Sequence, residues 1–396
     1  MADANQEKIR VALTRGVEKI YPNKEALEKT LLSGKKLKIY CGYDPTGPVL
    51  HLGHLITIKK LAQFQKLGHE IIMLIGDFTG MIGDPTEKIS TRKRLSRKEV
   101  LANARNYQKQ AGRFIDFKGK NPAKLLFNSS WLDKLRFDEL IDLAANFTVQ
   151  QMIIRDFFQE RIKNKNPIFL HEFLYPLAQA YDSVAMDVDL EVGGSDQIFN
   201  MLCGRDLMKG LKNKDKFVMG LKLLVDPTGK KMGKTEGNLV SLDNNSGEMY
   251  GKIMSWPDEI ISLGLELLTD VPAEEIEKIM KNSHPREAKA RLAREVVLAC
   301  YDEKTSILAE KEFDKVHKER ELPSDISEIS IKNKNIFLLD LLVEAKLAPS
   351  KAEAKRLILQ NGVKIDGNIE NDWKKTININ REIVIQVGRR KFVRVK

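Results

Sequence analysis

The N-terminal part of the chain contains a strand, a helix and a second strand in close succession. "LKIY" (37–40) and "EIIMLIG" (70–76) are apolar enough for buried strands, and the loop "CGYDPTGPVL" leads from the first strand into the helix. The helix is predicted from His51 to Leu67, with Gly68 as its stop. Its recurring apolar face consists of Leu52, Leu55, Ile58 and Leu61. Strands joined through a helix lie parallel, so the sequence predicts a βαβ unit of a parallel sheet.

Later segments extend this sheet and then change character. "DVDLEVGG" (187–194) and "FVMGLKLLVD" (217–226) are predicted to be further strands of the same sheet. Residues from about 245 to 320 alternate apolar and charged residues at helical spacing, which predicts helices without strands. The polar stretch "ERELPSDISEISIKNKN" (319–335) indicates a linker.

The tail has the punctuation of a separate small domain. "APSKAEAKRLILQNG" is predicted to be a helix, with a capping box from Ser350 to Glu353 and a C-cap at Asn361-Gly362. "VKIDGNI" indicates a hairpin around Asp366-Gly367, and "EIVIQVGRRKFVRVK" indicates another strand pair around a glycine.

Charge is concentrated in this tail. The chain of 396 residues has a net charge of +11, and residues 333–396 hold 14 Lys and Arg against 7 Asp and Glu. Such a balance is typical of a nucleic-acid-binding module, or simply of a basic, soluble surface, and charge alone does not separate the two.

Cysteine usage and apolar runs exclude other classes. The three cysteines, Cys41, Cys203 and Cys300, are far apart, which argues against a disulfide framework and a cysteine zinc site and favours a reducing compartment. The N-terminal "MADANQEKIR" lacks the apolar core of a signal peptide, and no apolar run approaches the roughly 20 residues that span a bilayer.

Two short motifs suggest phosphate chemistry. His51 and His54 stand at the start of the first helix, where backbone N–H groups and the helix dipole attract anions. Lys230, Lys231 and Lys234 lie on the glycine-rich stretch "DPTGKKMGKTEGN" after an apolar strand. Mobile ammonium groups suit a polyphosphate whose charge moves during reaction. Each motif alone fits a solvated surface about as well, but the pair in this order is specific.

"HLGH" and "KMGKT" together resemble the HIGH and KMSKS motifs of the class I aminoacyl-tRNA synthetases. "YCGYDPTGPVLHLGHL", "GDFTGMIGDPT", "YPLAQAYD" and "GGSDQ" follow the order of the tyrosyl branch of that family, and the tail is similar to its ribosomal-protein-like RNA-binding module. Gly233 and Thr235 replace serines of KMSKS. The resemblance implies an α/β protein with a Rossmann-like parallel-sheet catalytic domain (1–245), a helical domain on the anticodon side (246–320), a linker (321–332) and a small α+β RNA-binding domain (333–396).

The reaction implied by this resemblance has two steps. Tyrosine and ATP form tyrosyl-adenylate and pyrophosphate, and the tyrosyl group then passes to the 3′ end of tRNA(Tyr). ATP is expected to enter with Mg²⁺, without a dedicated metal site in the protein. The resemblance also implies a cytoplasmic homodimer that does not bind membranes.

The family's functional residues map onto this chain motif by motif. The residues expected to act on the phosphates are His51, His54, Thr46, Lys231, Lys234, Thr235, Lys88 and Arg92. Those expected to bind tyrosine are Tyr40, Asp84, Tyr175, Gln179, Asp182 and Gln197. Those expected to bind ATP are Cys41, Gly42, Asp44, Gly53, Gly194, Asp196, Lys231, Met232 and Lys234. In the tail, phosphate contacts with tRNA are expected from Lys351, Lys355 and Arg356.

Spacing alone leaves several of these assignments open. Tyr175, Gln179 and Asp182 share one helix face, which without the resemblance would be read as solvated. Asp196 would be read as a helix N-cap. His69, His171 and His317 have no motif around them and are expected to be surface or internally satisfied histidines.

Three rival functions remain at this point. A tryptophanyl synthetase shares both loops, although "YPLAQAYD" and the tail argue against it. A nucleotidylyltransferase also uses HxGH but needs no basic RNA-binding tail. A synthetase-like chain that only binds RNA is disfavoured because all the motif residues are present.

Overall fold

Helices separate most of the strands along the chain. The computed structural model describes residues 2–85, 95–229, 231–232, 239–317, 326–331, 335–388 and 391–396. The strands of the first part are β1 (Val17–Tyr21), β2 (Lys38–Tyr43), β3 (Glu70–Ile75), β4 (Lys124–Phe127), β5 (Leu190–Gly194) and β6 (Phe217–Leu221). The helices of this part are α1 (Ala2–Thr14), α2 (Lys24–Leu32), α3 (Leu52–Lys66), α4 (Thr79–Ile82), α5 (Arg97–Ala104), α6 (Tyr107–Ala111), α7 (Ser129–Leu132), α8 (Phe137–Ala144), α9 (Val149–Ile153), α10 (Asp156–Lys163), α11 (Leu170–Met186) and α12 (Ile198–Lys212).

The C-terminal part begins with helices and ends with short strands. Its helices are α13 (Ser246–Met254), α14 (Ile261–Leu268), α15 (Ala273–Asn282), α16 (Pro285–Cys300), α17 (Glu303–His317), α18 (Leu338–Glu344) and α19 (Lys351–Leu359). Its strands are β7 (Ser327–Ile329), β8 (Asn335–Phe337), β9 (Val363–Ile365), β10 (Asn368–Ile369), β11 (Thr376–Asn378), β12 (Ile383–Val387) and β13 (Lys391–Val395). The described residues between 246 and 317 are helical where they are regular, as predicted.

The first sheet places a topological switch between β2 and β5. Within the described residues its strand order is β1-β6-β5-β2-β3-β4, and every pair is parallel except the edge pair of β1 and β6. From β2 the chain proceeds to β3 on one side, whereas β5 pairs on the other side. Parallel sheets bind ligands at the carboxyl ends of strands where the order reverses, so this arrangement sets the position of a site.

The predicted βαβ unit is confirmed, with a longer first strand. β2 and β3 pair in parallel from Lys38 opposite Glu70 to Tyr43 opposite Ile75, and α3 crosses between them. The strand continues three residues beyond the predicted "LKIY", because Cys41 to Tyr43 pair with β3 rather than forming a loop. The predicted strand 217–226 ends earlier, at Leu221.

Packing divides the chain into two compact units. One comprises residues 1–245 and 252–300, and the other comprises residues 246–251 and 301–396. Helices α14 to α16 therefore group with the parallel sheet. The division into catalytic, helical, linker and RNA-binding domains at 245, 320 and 332 stays a prediction.

The second unit has a core of its own. Its strands form a sheet of order β10-β9-β12-β13-β7 and a pair of β11 with β8, as far as the described residues extend. Buried aliphatic side chains of α18, α19 and these strands pack together, among them Leu341, Ile358, Val363, Ile385 and Val395. The predicted hairpin at Asp366-Gly367 is confirmed, and both residues have positive φ values of 48° and 84°.

Two details of the tail differ from the sequence prediction. Residues 327–329, within the predicted linker, form β7, which pairs in parallel with β13. The predicted capping box is half present: Ser350 Oγ accepts from Glu353 N, whereas the Glu353 carboxylate binds Arg356. At the other end of α19, Asn361 adopts the left-handed conformation (φ 55°) and Gly362 N donates to Leu357 O, which is a Schellman ending.

No helix in the described part of the chain has the length and apolar composition needed to cross a membrane.

Candidate active site

A cavity of about 220 Å³ opens at the carboxyl ends of β2 and β5. It lies at the switch in strand order, where the sheet topology predicts a ligand. Many of its lining residues were predicted from the sequence: Tyr40, Cys41, Gly42, Asp44, Thr46, His51, Gly53, His54, Asp84, Tyr175, Gln179, Asp182, Gly194, Asp196, Gln197, Lys231 and Met232. The fold thus brings the described part of the predicted tyrosine, ATP and phosphate sets into one cavity.

Four predicted residues lie outside the described residues. They are Lys88 and Arg92 in the segment 86–94, and Lys234 and Thr235 in the segment 233–238. Their assignments stay predictions.

The two histidines of "HLGH" stack on each other at the start of α3. Their ring centroids are 3.8 Å apart. His51 Nδ1 accepts a hydrogen bond from Gly53 N (3.1 Å), and His54 Nδ1 accepts one from His51 N (3.2 Å). A neutral imidazole that accepts at Nδ1 carries its proton on Nε2. Each ring can therefore act as a donor from Nε2.

The first turn of α3 differs from the sequence expectation of available backbone donors. Leu52 N donates to Val240 O (3.0 Å), Gly53 N donates to His51 Nδ1, and His54 N donates to His51 O (2.9 Å). The helix end is thus capped by its own histidine and by a neighbouring loop. Direct hydrogen bonding to a phosphate at this end is left to the imidazoles rather than to these N–H groups.

Asp182 lies buried at one end of the cavity. Its Oδ1 accepts from Trp131 Nε1 (2.7 Å), and its Oδ2 accepts from Asn128 Nδ2 (3.2 Å). Burial raises the pKa of this carboxyl well above its ordinary value, although the hydrogen bonds from Trp131 and Asn128 oppose that effect. The face of α11 that spacing alone would assign to solvent thus carries the buried Tyr175 and Asp182 and the half-buried Gln179.

A buried polar network surrounds the Tyr40 hydroxyl. Tyr40 Oη and Ser183 Oγ are 2.9 Å apart, and Ser183 Oγ accepts from Lys216 Nζ (2.8 Å). Lys216 and Glu191 form an ion pair with almost no exposed surface. Gln179 Nε2 also donates to Glu191 Oε1 (3.0 Å). The side-chain amide oxygen of Gln179 can still act as an acceptor.

Asp44 connects three elements of the site. Its Oδ1 accepts from Thr79 Oγ1 (2.7 Å), and its Oδ2 accepts from Tyr175 Oη (3.0 Å). A Cβ at Gly76 would approach Asp44 Oδ1 to 1.9 Å, so the backbone there has to be glycine for this carboxylate to fit. Asp44, predicted to bind ATP, thus also holds the tyrosine-side residue Tyr175.

Gln197 and Lys231 meet at the carboxylate of Asp196. Gln197 Nε2 donates to Asp84 Oδ2 (2.6 Å) and to Asp196 Oδ2 (3.2 Å). Lys231 Nζ lies 2.5 Å from the same Asp196 oxygen. A lysine predicted to bind phosphate is therefore paired with the carboxylate predicted to bind a ribose. A Cβ at Gly194 would lie 2.5 Å from Asp196 Oδ1, which accounts for glycine at that position.

Neither Cys41 nor His69 shows a sign of reactive chemistry. Cys41 is buried, and burial raises the pKa of its thiol to about 12, so it is a neutral lining group. His69 is buried and accepts from Leu37 N at Nδ1 (3.2 Å), and burial lowers its pKa. His69 is thus internally satisfied, as expected.

Several polar residues of the site were missed in the sequence. Lys216 appears among solvated lysines in "KNKDK", and Glu191 appears inside an apolar strand. Asn128 follows β4 directly, so its position at the carboxyl end of a parallel strand was the one signal that could have identified it.

The three residues predicted to contact RNA lie in the second unit on α19. Lys351 Nζ is 2.5 Å from Asp340 Oδ1, and Arg356 is bound by Glu353. The Lys355 ammonium lies 4.1 Å from the centroid of the Trp373 ring.

Comparisons with known proteins identify the family. Residues 32–318 match the family model for class I tRNA synthetases (W and Y), and residues 319–395 match that of the tyrosine–tRNA ligase SYY-like C-terminal domain. The tyrosine–tRNA ligase of Moorella thermoacetica is 45% identical over 97% of this chain and 94% of its own length. That of Aquifex aeolicus is 43% identical over 98% of each chain.

Solved structures support the fold. A C-terminally truncated mitochondrial tyrosyl-tRNA synthetase of Coccidioides posadasii matches with a TM-score of 0.62, at 24% identity over 78% of this chain and 96% of that chain. The tyrosyl-tRNA synthetase of Archaeoglobus fulgidus, solved with L-tyrosine, matches with a TM-score of 0.60, at 23% identity over 76% and 99%.

Proposed function

The chain belongs to the tyrosine–tRNA ligase family of the class I aminoacyl-tRNA synthetases, and we propose that the cavity between β2 and β5 is where it joins tyrosine to ATP. The observation that carries this proposal is the convergence of both predicted substrate sets on one cavity. Tyr40 and Asp182 lie toward its interior and would face the phenol hydroxyl. Tyr175, Gln179 and Asp84 would face the ammonium group.

The first step needs positioned charge rather than a strong acid or base. A tyrosine carboxylate oxygen attacks the α-phosphorus, and the bond from that phosphorus to the bridging oxygen of the β-phosphate breaks. Pyrophosphate leaves with the added negative charge. His51 and His54 can donate from Nε2 to phosphate oxygens, and Gln197 would orient the carboxylate.

Lys231 requires a change of partner in this scheme. It is bound to Asp196, whose family role is to accept from the ATP ribose. A ribose hydroxyl that donates to Asp196 competes for that carboxylate, and the phosphates offer Lys231 a stronger anion. ATP binding would thus move Lys231 from Asp196 to the leaving pyrophosphate. Lys234, Thr235, Lys88 and Arg92 are assigned to the same phosphates by resemblance alone.

Mg²⁺ belongs to the substrate in this proposal. The described residues include no group of three or more His, Cys, Asp or Glu side chains that could hold a metal ion. We expect the ion to enter on the ATP phosphates, which suits its preference for phosphate and water oxygens.

The second step consumes the adenylate. A ribose hydroxyl at the 3′ end of tRNA attacks the tyrosyl carbonyl carbon, and AMP leaves. The second unit would bind the tRNA, since its basic tail matches the family's C-terminal domain model. We place the reaction in the cytoplasm of a bacterium, because the two relatives that are 45% and 43% identical to this chain come from Moorella thermoacetica and Aquifex aeolicus.

Pyrophosphate exchange tests the assignment of the first step. His51→Ala and Lys231→Ala should lower the rate of tyrosine-dependent exchange of labelled pyrophosphate into ATP by roughly 10²-fold or more. Both variants should retain tyrosine affinity in the free protein, because the two groups face charge that develops in the transition state.

Lys124→Ala is the matched control, since this lysine pairs with Glu70 on the protein surface away from the cavity. Loss of tyrosine binding without a loss of rate would contradict the roles given to His51 and Lys231. Exchange that tryptophan supports as well as tyrosine would contradict the choice of amino acid.

Removal of residues 333–396 tests the role of the tail. The truncated chain should keep tyrosine-dependent exchange, lose most of its tRNA charging, and bind tRNA with a weaker dependence on salt concentration. Charging equal to that of the full chain would assign the tail another role.

A further inference from the structure

Six of the eleven basic side chains that the structure describes between residues 335 and 396 pair with acidic side chains. The pairs are Lys351 with Asp340, Arg356 with Glu353, Lys375 with Glu370, Arg381 with Asp366, Arg394 with Glu328, and Lys396 with Glu328. Two of the three residues predicted to bind RNA phosphates, Lys351 and Arg356, are among them. The number of Lys and Arg residues in the tail therefore overstates the cationic groups that are available to a polyanion.

Trp373 gathers two lysines that lack such partners. The Lys355 ammonium lies 4.1 Å from the centroid of the indole ring, and that of Lys374 lies 5.1 Å from it. Neither ammonium has a carboxylate within 4.0 Å among the described residues. Both lysines are exposed, whereas Trp373 is half-buried and packs against the core of the second unit.

This arrangement differs from an ordinary core tryptophan. The ring packs against the core, and two lysine ammonium groups lie 4.1 Å and 5.1 Å from its centroid. Proteins that bind unpaired nucleotides combine an aromatic ring for the base with cations for the flanking phosphates. Lys355 comes from α19 and Lys374 from the loop before β11, so the ring has a cation from each of two elements.

We propose that Trp373, Lys355 and Lys374 form an RNA contact in which an unpaired tRNA base stacks on the indole ring while the two lysines bind flanking phosphates. The proposal rests on the tRNA-binding role of the second unit and assigns it a specific surface. Trp373 is thereby the recognition residue, and Lys355 is the cation that must move when the base arrives.

Magnitudes favour this exchange. An exposed cation–π contact changes an equilibrium by roughly 2- to 5-fold. Stacking of a base on an aromatic side chain is worth roughly 5- to 150-fold per base. A base that replaces the Lys355 ammonium on the ring therefore gains more than the protein loses, and the displaced lysine gains a phosphate.

The test compares tRNA(Tyr) transcript binding by full-length variants. Trp373→Leu should raise the Kd by roughly 5- to 150-fold, and Trp373→Phe should raise it less because a ring remains. Lys355→Gln should lower the salt dependence of log Kd by about one ion. Lys375→Gln, one residue from Lys374, is the control and should change that slope less because its ammonium already pairs with Glu370.

Tryptophan fluorescence supplies a readout that a purely structural role would not move. Stacking should quench the indole of Trp373 when tRNA is added, and Trp373→Phe should abolish that part of the quenching. Urea unfolding followed by circular dichroism checks that each variant keeps its fold, including the core of the second unit against which Trp373 packs. The inference is overturned if the Trp373→Leu variant binds tRNA with the same Kd as the unmodified chain. It is also overturned if the Trp373→Phe variant shows the same fluorescence quenching as the unmodified chain.

The truncation of residues 333–396 separates the two levels of failure. If truncation weakens tRNA binding while Trp373→Leu does not, the tail binds RNA through another surface and only this inference fails. If truncation also leaves tRNA binding unchanged, the proposed role of the tail fails with it.

Discussion

In the proposed site, Asp182 would bind a substrate hydroxyl while it also accepts hydrogen bonds from two neighbouring side chains. Trp131 Nε1 and Asn128 Nδ2 donate to separate oxygens of its carboxylate. An ionised carboxylate has about four acceptor positions, so a third donor still fits. Burial raises the pKa of Asp182, and a donor from the substrate would favour the ionised form again. Asp182 would thus accept a hydrogen bond from the phenol hydroxyl of tyrosine, whereas the phenyl ring of phenylalanine offers it no donor.

Asp182→Ala should therefore reduce kcat/KM for tyrosine far more than for phenylalanine in pyrophosphate exchange. Leaving a buried polar group unpaired changes an equilibrium by roughly 1–3 kcal/mol, which is the loss of discrimination expected here. Tyr181→Phe, the neighbouring residue on α11, is the control because its ring packs against a different apolar cluster. An equal fall for both amino acids would make Asp182 a structural residue.

Helix α3 also carries a buried lysine, far along its length from the histidines. Lys60 is only 4% exposed, and its Nζ donates to Ala12 O (2.8 Å) and Arg15 O (3.0 Å) at the end of α1. Burial, with a smaller contribution from the Arg15 charge, lowers the pKa of Lys60 to about 7. Lys60 therefore links the end of α1 to α3 through hydrogen bonds, but burial makes its protonated form unfavourable.

The consequence is a pH-dependent stability. Between about pH 7 and the ordinary lysine pKa near 10.4, the unfolded chain keeps the Lys60 proton and the folded chain releases it. The free energy of unfolding thus rises with pH in this window, and the penalty of the charged form is fully present below pH 7. From pH 7 to pH 9 the contribution is on the order of 2 kcal/mol.

Lys60→Met should remove this contribution. Urea unfolding gives the free energy of unfolding of the unmodified chain and of the variant at pH 7 and at pH 9. The rise in this free energy between the two pH values should be larger for the unmodified chain than for Lys60→Met. Lys66→Met, an exposed position on the same helix, should leave the pH dependence unchanged. If Lys60→Met and the unmodified chain gained equally in stability between the two pH values, Lys60 would be protonated throughout.

At the scale of the whole molecule, one segment of the chain exposes an unusual number of large apolar side chains. Residues 137–170 carry several large apolar side chains that are exposed: Phe137, Ile141, Val149, Ile154, Ile162, Phe169 and Leu170. Leu170 is 79% exposed at the first residue of α11, the helix that also carries Tyr175 and Asp182. A concentration of such residues in one segment indicates a covered surface, and we propose that a second copy of the chain covers it.

Leu170→Glu should then shift the chain from dimer to monomer in sedimentation velocity experiments, because it would place a charge in a desolvated interface. Leu211→Glu on α12 is the control, since that side chain is 50% exposed outside this segment. An unmodified chain that sediments as a monomer would refute the proposed homodimer.

The sequence by itself determined the features that depend on neighbours along the chain. Apolar periodicity was enough for α3, and the parallel β2–α3–β3 unit followed from the order of its elements. The hairpin at Asp366-Gly367 followed from the turn residues, since few others accept two successive positive φ values. Through the two motifs it also indicated the family, and most predicted site residues line one cavity.

Only the tertiary structure decided which polar groups are partnered. Lys216 and Glu191 look unrelated in sequence, yet parallel pairing of β5 and β6 places them together beneath Tyr40. The N–H groups at the start of α3 are occupied by His51 and by Val240 O, which helix geometry alone does not predict. β7 forms in a polar segment because β13 offers it an edge. Each of these depends on contacts between distant residues, and local periodicity and turn chemistry contain no information about them.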